Sequence, residues 1–238
     1  MPPETNVYDD YAAEYTAMVV EREAHDLAQA PMITELLEAV GDVAGRDVLD
    51  AGCGEGYLSR LLAARGARVT GVDVAGRLVS AARARDPEGR ITYLVHNLSR
   101  PLPDAVGRFD LIASHFVLND VPDYQGFIAT LAAVLRPGGR AVFSMNNPYS
   151  FVVRNHIKNY FDSGVAYPYR GMWKQGVKVR FYQHTLQEYM DTFLAAGFRL
   201  ERLLDIPTPE AMMRSLPDVL IPPGYQFPYF MILSFVKP

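Results

Sequence analysis

The chain has 238 residues, 49% of them apolar and 21% charged, with a formal net charge of −4. That length suits one large domain or a domain with a lid, and the apolar share is enough for a substantial core. No basic run exceeds two residues and no apolar stretch is long enough to span a bilayer, which argues against a nucleic-acid partner and against a membrane protein.

Acids dominate the first thirty residues, and Tyr8, Tyr11 and Tyr15 recur at spacings of three and four, one face of a helix. Such a helix either packs its tyrosines on the domain or caps a site. Pro31 opens a predicted helix to Val40, with Ile33, Leu36, Leu37 and Val40 on one face. The next hundred residues alternate. Strands are expected at Val48–Asp50, Arg68–Asp73, Ile91–Val95 and Asp110–His115, and helices at Tyr57–Ala64, Leu78–Arg85 and Asp123–Leu135. Arg136-Pro-Gly-Gly is a turn before a strand at Arg140–Met145. This order predicts a doubly wound α/β fold, a parallel sheet covered by helices on both faces.

The pattern lapses from Asn146 to Lys178, a stretch rich in aromatics that include Tyr149, Tyr160, Tyr169 and Trp173. A long irregular insertion of this kind is expected to be a lid. Thr185 and Glu188 form a capping-box signature that opens a helix through Ala196, closed by Gly197. Phe198–Leu204 and Tyr229–Val236 read as the last strands, with a proline-rich loop between them. The expected organisation is a single domain over 1–238, divided into an N-terminal helical cap (1–40), a core (41–145), a lid insertion (146–184) and a C-terminal helix with strands (185–238).

Segment 48–56, Val-Leu-Asp-Ala-Gly-Cys-Gly-Glu-Gly, is the most informative, together with Asp73, which ends an apolar run 19 positions after Gly54. A strand feeding a glycine turn that opens a helix, then a strand delivering a carboxylate, grips a nucleoside cofactor. Backbone comes close at the glycines, and the acid takes both ribose hydroxyls. The form Gly52-x-Gly54-x-Gly56 is not the Gly-x-Gly-x-x-Gly of most NAD binders, whose pyrophosphate needs a helix N-terminus. S-adenosylmethionine has no phosphate; its amino-acid end is served by the carbonyl and amide of a compact Gly-Cys-Gly turn. Cys53, the single cysteine, suits close packing in that turn and points to a reducing interior. Met1-Pro-Pro-Glu-Thr lacks the basic and apolar regions of a signal peptide, so the cytoplasm is the expected location.

With these motifs the chain resembles the class I S-adenosylmethionine-dependent methyltransferases. Val48–Gly56 looks like their first motif and Val72-Asp73-Val74 like their second; His96–Pro103 looks like their adenine-contacting segment. Phe109–Ile112 with Ser114-His115 looks like their fourth strand, and Leu135–Gly139 like the turn before the fifth. The resemblance implies a Rossmann-like seven-stranded sheet, mostly parallel with an antiparallel last strand, and S-adenosylmethionine as cofactor. It implies that Gly52, Cys53 and Gly54 approach the methionyl end while Asp50 supports the turn. Asp73 would bond the ribose, Val74 pack on adenine, and Asn97 and the Leu98 amide read the adenine edge. Ser114, through its backbone carbonyl, would help hold the methionyl ammonium. Apart from the resemblance, Tyr11 and Tyr15 are candidates to touch the methionyl carboxylate. Many relatives carry aspartate where Asn97 stands.

Methyl transfer needs a base only if the nucleophile must lose a proton. His184 and His115 are the catalytic candidates. His115 follows the fourth strand, and the stretch Arg180–Tyr189 resembles a tyrosine–histidine element that follows the lid in many small-molecule methyltransferases. Equally, His184 could be a helix-entry residue bonding backbone. Tyr149, Trp173 and Tyr182 are the candidate substrate contacts, suited to a flat, partly apolar molecule. Asn146-Asn147-Pro148-Tyr149 echoes the Asn-Pro-Pro-Tyr motif of base and glutamine methyltransferases, but it follows the fifth strand and lacks the second proline. No metal ligand set is visible. The expected activity is methylation of O, N or C of a small molecule by a monomer or homodimer. The alternatives are methylation of a peptide, protein or RNA base, and a cofactor-binding protein that does not methylate.

Overall fold

The computed structural model describes residues 7–24, 31–153, 157–168, 179–207 and 227–238. Strands β1 (Asp47–Ala51), β2 (Arg68–Asp73), β3 (Thr92–Val95), β4 (Phe109–His115) and β5 (Leu135–Asn146) are parallel. Strands β8 (Arg199–Pro207) and β9 (Pro228–Val236) complete a seven-stranded sheet in the order β3-β2-β1-β4-β5-β9-β8. β9 runs antiparallel to both neighbours, as the resemblance implies. A separate hairpin pairs β6 (Ala166–Pro168) with β7 (Arg180–Tyr182).

Strand periodicity sends successive side chains to opposite faces. On one face Leu49, Ile112, Phe143 and Leu233 pack under helices α6 (Tyr124–Val134) and α8 (Leu186–Ala195), where Phe193 stacks on Phe235 at 4.1 Å. On the other, Val48, Leu111, Val142 and Ile232 pack under α3 (Pro31–Val40) and α4 (Tyr57–Ala64), together with Val79 of α5 (Gly76–Ala84). Both faces are thus dry, which is why the central strands read as apolar runs. The α8 start has both halves of its capping box: Thr185 Oγ1 accepts from the Glu188 amide at 3.2 Å and Glu188 Oε2 from the Thr185 amide at 2.8 Å.

Three expectations need correction. The segment Arg136–Gly139 does not precede β5 but bulges from within it. Phe109 pairs with Leu135 and Leu111 with Arg140, so the extra residues leave the ladder. The tyrosine helix is two, α1 (Val7–Asp10) and α2 (Ala12–Ala24), joined at Tyr11. The segment expected to form a lid (146–184) is not wholly irregular, since α7 (Pro148–Val153) and the β6–β7 hairpin lie within it. Asn147 explains α7: its Oδ1 accepts from the Tyr149 amide at 3.0 Å while its Nδ2 donates to Asp205 at 2.9 Å. The asparagine–proline motif is thus a helix start. His156, Tyr169, Trp173 and nearly all of the proline-rich loop lie outside the described residues. Among those described, no helix is long and apolar enough to cross a membrane.

Candidate functional site

Strand order reverses between β1 and β4, and the carboxyl ends of a parallel sheet open a crevice at such a point. A cavity of about 660 Å³ lies there. Its first wall is the glycine turn. Ala51 ends β1, the Gly52 and Cys53 amides both donate to the Val72 carbonyl at 2.8 and 3.1 Å, and the chain enters α4 at Gly56. Gly52 has φ +82, and a Cβ on it would stand 2.3 Å from Val117 Cγ2. A Cβ on Gly54 would meet only the Tyr15 ring, at 3.8 Å, between two residues that both line the cavity.

Asp73 ends β2 with its carboxylate aimed back at this turn. Oδ2 accepts from the Gly54 amide and Oδ1 from the Ala75 amide, each at 2.8 Å. Burial raises its pKa, opposed by those two amide bonds. Val74, Asn97 and Leu98 line the same wall. Asn97 Oδ1 accepts from the Ser99 amide at 2.9 Å, which turns the loop after β3. Tyr8 and Tyr15 do both things open to them: they pack on Ala75 and Leu78 and they line the cavity. The Tyr8 hydroxyl donates to Asp120 Oδ2 at 2.5 Å. Tyr11 is half-buried but not among the lining residues.

Three of the expected cofactor residues, Asp50, Cys53 and Ser114, are not among the lining residues. Asp50 is buried and accepts from Ser59 Oγ at 2.5 Å; desolvation pushes its carboxyl up to about 7. Cys53 is buried, and its thiol is pushed up by desolvation, so it is no nucleophile. Ser114 is buried with its hydroxyl donating to the Ala51 carbonyl at 2.8 Å. Their contribution is to hold the turn. Glu55, which sequence reading passed over, does the same: it is buried against Arg60, at 3.1 Å, and Arg85.

The second wall comes from the end of β4 and from β7: His115, Phe116, Arg180 and Tyr182. His115 Nδ1 pairs with Ser144 Oγ at 2.6 Å, and burial pulls the imidazole down to about 4, so it is neutral at pH 7. Phe116 has φ 57, a left-handed conformation that a bulky residue rarely takes. His184 is not among the residues lining this cavity. It is buried beside Tyr124, with ring centroids 4.3 Å apart, and its Nδ1 pairs with Ser163 Oγ at 3.1 Å. Ser163 in turn donates to Glu188 at 2.5 Å, so this pair fastens the segment before β6 to α8. Tyr149 is also off the cavity, 48% exposed and stacked on Tyr160 at 4.7 Å. Asp120 and Arg180 were missed. The one signal for either was position: Asp120 in the loop after β4 and Arg180 at the start of β7.

His115 makes stability depend on pH. Its folded pKa of about 4 lies below the ordinary histidine value of 6.5, so between these pH values the unfolded chain takes a proton that the folded one refuses. Stability from this group is therefore full above pH 6.5 and is lost as pH falls toward 4. Asp50, raised to about 7, works in the opposite sense, losing stability as pH rises from 3.8. In a comparison of wild type with His115→Gln the Asp50 contribution cancels. The variant should recover roughly 2–3 kcal/mol relative to wild type between pH 7 and pH 4.5, read by urea denaturation at both. Parallel profiles for the two proteins would remove the buried neutral imidazole.

The comparisons with known proteins accord with this geometry. The methyltransferase domain family matches residues 49–143, from β1 into β5. Demethylmenaquinone methyltransferase of Tropheryma whipplei is 41% identical over 115 residues, 48% of this chain and 47% of that protein. Ubiquinone biosynthesis O-methyltransferase of Coxiella burnetii is 35% identical over 142 residues, 56% of this chain and 60% of that protein. The chain thus spans about half to three-fifths of the length of these curated relatives. Among solved structures, an S-adenosylmethionine-dependent methyltransferase from Mesorhizobium loti superposes with a TM-score of 0.67 at 24% identity, covering 89% of this chain and 100% of that one. The magnesium protoporphyrin IX methyltransferase of Synechocystis, solved with bound S-adenosylmethionine, gives 0.56 at 22% identity, covering 89% and 80%. These two likenesses speak for the fold. Residues 49–143 thus match a methyltransferase domain, and the strand order β3-β2-β1-β4-β5-β9-β8 gives the chain the fold of the class I S-adenosylmethionine-dependent methyltransferases.

Proposed function

We propose that this protein transfers a methyl group from S-adenosylmethionine to a small molecule. The observation that carries the reading is one cavity in which the glycine turn and the Asp73 carboxylate face a second, mixed wall with its own aromatic and charged groups. The residues fit the cofactor. Gly54 leaves a cradle that a Cβ would fill, Asp73 is aimed at the turn by two amides, and Val74 and Leu98 offer apolar contact to a base. When bound, S-adenosylmethionine supplies a methyl group on an electrophilic sulfonium.

In this reading Asp73 takes the ribose hydroxyls through lone pairs directed away from the Gly54 and Ala75 amides. Asn97 and the Leu98 amide face the adenine edge. Gly52 and Gly54 let backbone approach the amino-acid end, with Tyr15 above it. His115 is held neutral, but its pKa near 4 makes it a poor general base at pH 7, since a base works best poised near the operating pH. Its part is to accept a hydrogen bond and aim the nucleophile. The chain's main contribution is then positioning, which can supply up to roughly 7–11 kcal/mol. The quinone-biosynthesis relatives favour a small, planar acceptor. The single buried cysteine favours a reducing compartment.

Incubation with methyl-labelled S-adenosylmethionine and a panel of hydroxylated aromatic acceptors tests the proposal. The expected result is S-adenosylhomocysteine formed in step with a labelled product. Tight binding without turnover on any acceptor would favour a non-methylating binding protein, and no binding at all would overturn both.

A further inference from the structure

The cofactor reading fills the wall built by β1, β2 and the loop after β3. The wall built by β4 and β7 is left for the methyl acceptor, and one residue there is unusual. Arg180 lines the cavity, yet among the described residues its guanidinium makes no ion pair and no hydrogen bond. The cavity does hold acids, but they have other tasks. Asp73 accepts from two backbone amides, Asp120 from the Tyr8 hydroxyl, and Asp123 caps α6 through the Gly126 amide at 2.9 Å.

Backbone geometry fixes where Arg180 sits. Neighbouring side chains on a strand face opposite ways, so Arg180 and Tyr182 share one face of β7 and Phe181 takes the other. Phe181 is fully buried and stacks on Phe151 with ring centroids 4.0 Å apart and planes at 14°. The strand is held by Ala166 and Pro168 across the hairpin, and the Tyr182 amide donates to the Asn119 carbonyl at 2.7 Å. Phe181 anchored on one side leaves Arg180 and Tyr182 toward the cavity, opposite the turn that would carry the cofactor.

A cation with no partner among the described residues, held at a cavity wall, is a receptor for an anion. Arginine presents a planar fork of donors that matches a carboxylate two bonds at a time, and it keeps its charge at any working pH. We propose that the methyl acceptor carries a carboxylate, bound by Arg180, and that its apolar body lies against Phe116 and Tyr182. The inference rests on the methyltransferase reading above. It narrows the acceptor class from any planar small molecule to an anionic one. Because Arg180 is open to water, the preference is expected to be moderate and to weaken with salt.

Equilibrium binding tests this without turnover. With the protein saturated by S-adenosylhomocysteine, calorimetry is run on matched pairs: 4-hydroxycinnamate and 3-hydroxy-2-naphthoate, each against its primary amide. The acids should bind about tenfold more tightly than the amides. Arg180→Gln should bring the acids down to the amides while leaving S-adenosylhomocysteine affinity unchanged, and Arg180→Lys should keep part of the preference. Equal binding of acids and amides by the wild type, no binding of either acid, or an undiminished preference in Arg180→Gln would each overturn the inference. Failure of the wild type to bind S-adenosylhomocysteine would instead bring down the methyltransferase reading and this inference with it.

Discussion

Asp73→Ala should lower S-adenosylmethionine affinity by roughly 10²–10⁴-fold. Two hydrogen bonds from ribose hydroxyls to one carboxylate are at stake, and bonds to charged groups contribute about 1.5–3 kcal/mol each. The carboxylate also organises its surroundings, because its two oxygens accept from the Gly54 and Ala75 amides. Removing it therefore costs the ligand its partner and loosens the turn together. Asp73→Asn separates the effects, since its one carbonyl oxygen can still serve an amide; its loss should be smaller. Asp104→Ala, at an exposed 3-10 turn, is the matched control for removing an acid and should bind like wild type. Calorimetric titration reads all four proteins. Equal affinities for Asp73→Ala and Asp104→Ala would refute the ribose assignment.

Gly52→Ala should be strongly destabilising. The position has φ +82, and the new Cβ would fall 2.3 and 2.8 Å from the two methyls of Val117. A left-handed alanine costs about 1–2 kcal/mol. The collision adds about 1–3 kcal/mol, because a β-branched valine has little freedom to rotate away. Gly45→Ala provides the contrast: its φ is +71, but nothing lies within 4 Å of the added methyl. Chemical denaturation should thus separate the two variants by about 1–3 kcal/mol. Only Gly52→Ala should also weaken S-adenosylmethionine binding. If both variants unfold alike, the close approach of Val117 to the turn is not real.

The parts legible from sequence are those with a local cause. The glycine turn and Asp73 could be read because a buried parallel strand is a short apolar run, and a glycine or an acid marks its end. Thr185 and Glu188 could be read because a capping box is closed within one turn. The β6–β7 hairpin could not. Phe181 is one apolar residue in a three-residue strand, and its partners Phe151 and Tyr167 come from elsewhere in the chain. His184 shows the same limit from the other side. Nothing adjacent to it announces its partners; Ser163 and Tyr124 come from 21 and 60 positions away. Tyr8 meets Asp120 across 112 positions, so the cap over the cavity is a tertiary fact.

The antiparallel β9 has a consequence for how the molecule is assembled. It threads between β5 and β8, so a strand made after all its sheet neighbours is an interior one. Until it arrives, β8 has no partner in the sheet and Phe143 and Phe193 lack the Phe235 ring that closes over them. A chain still emerging from the ribosome can dock its first five strands but must leave a gap on that side. Closing it requires contacts of large sequence separation, the kind that slow folding. During synthesis the waiting slot is an open sheet edge beside bare aromatics, a natural landing place for a chaperone or for another unfinished copy.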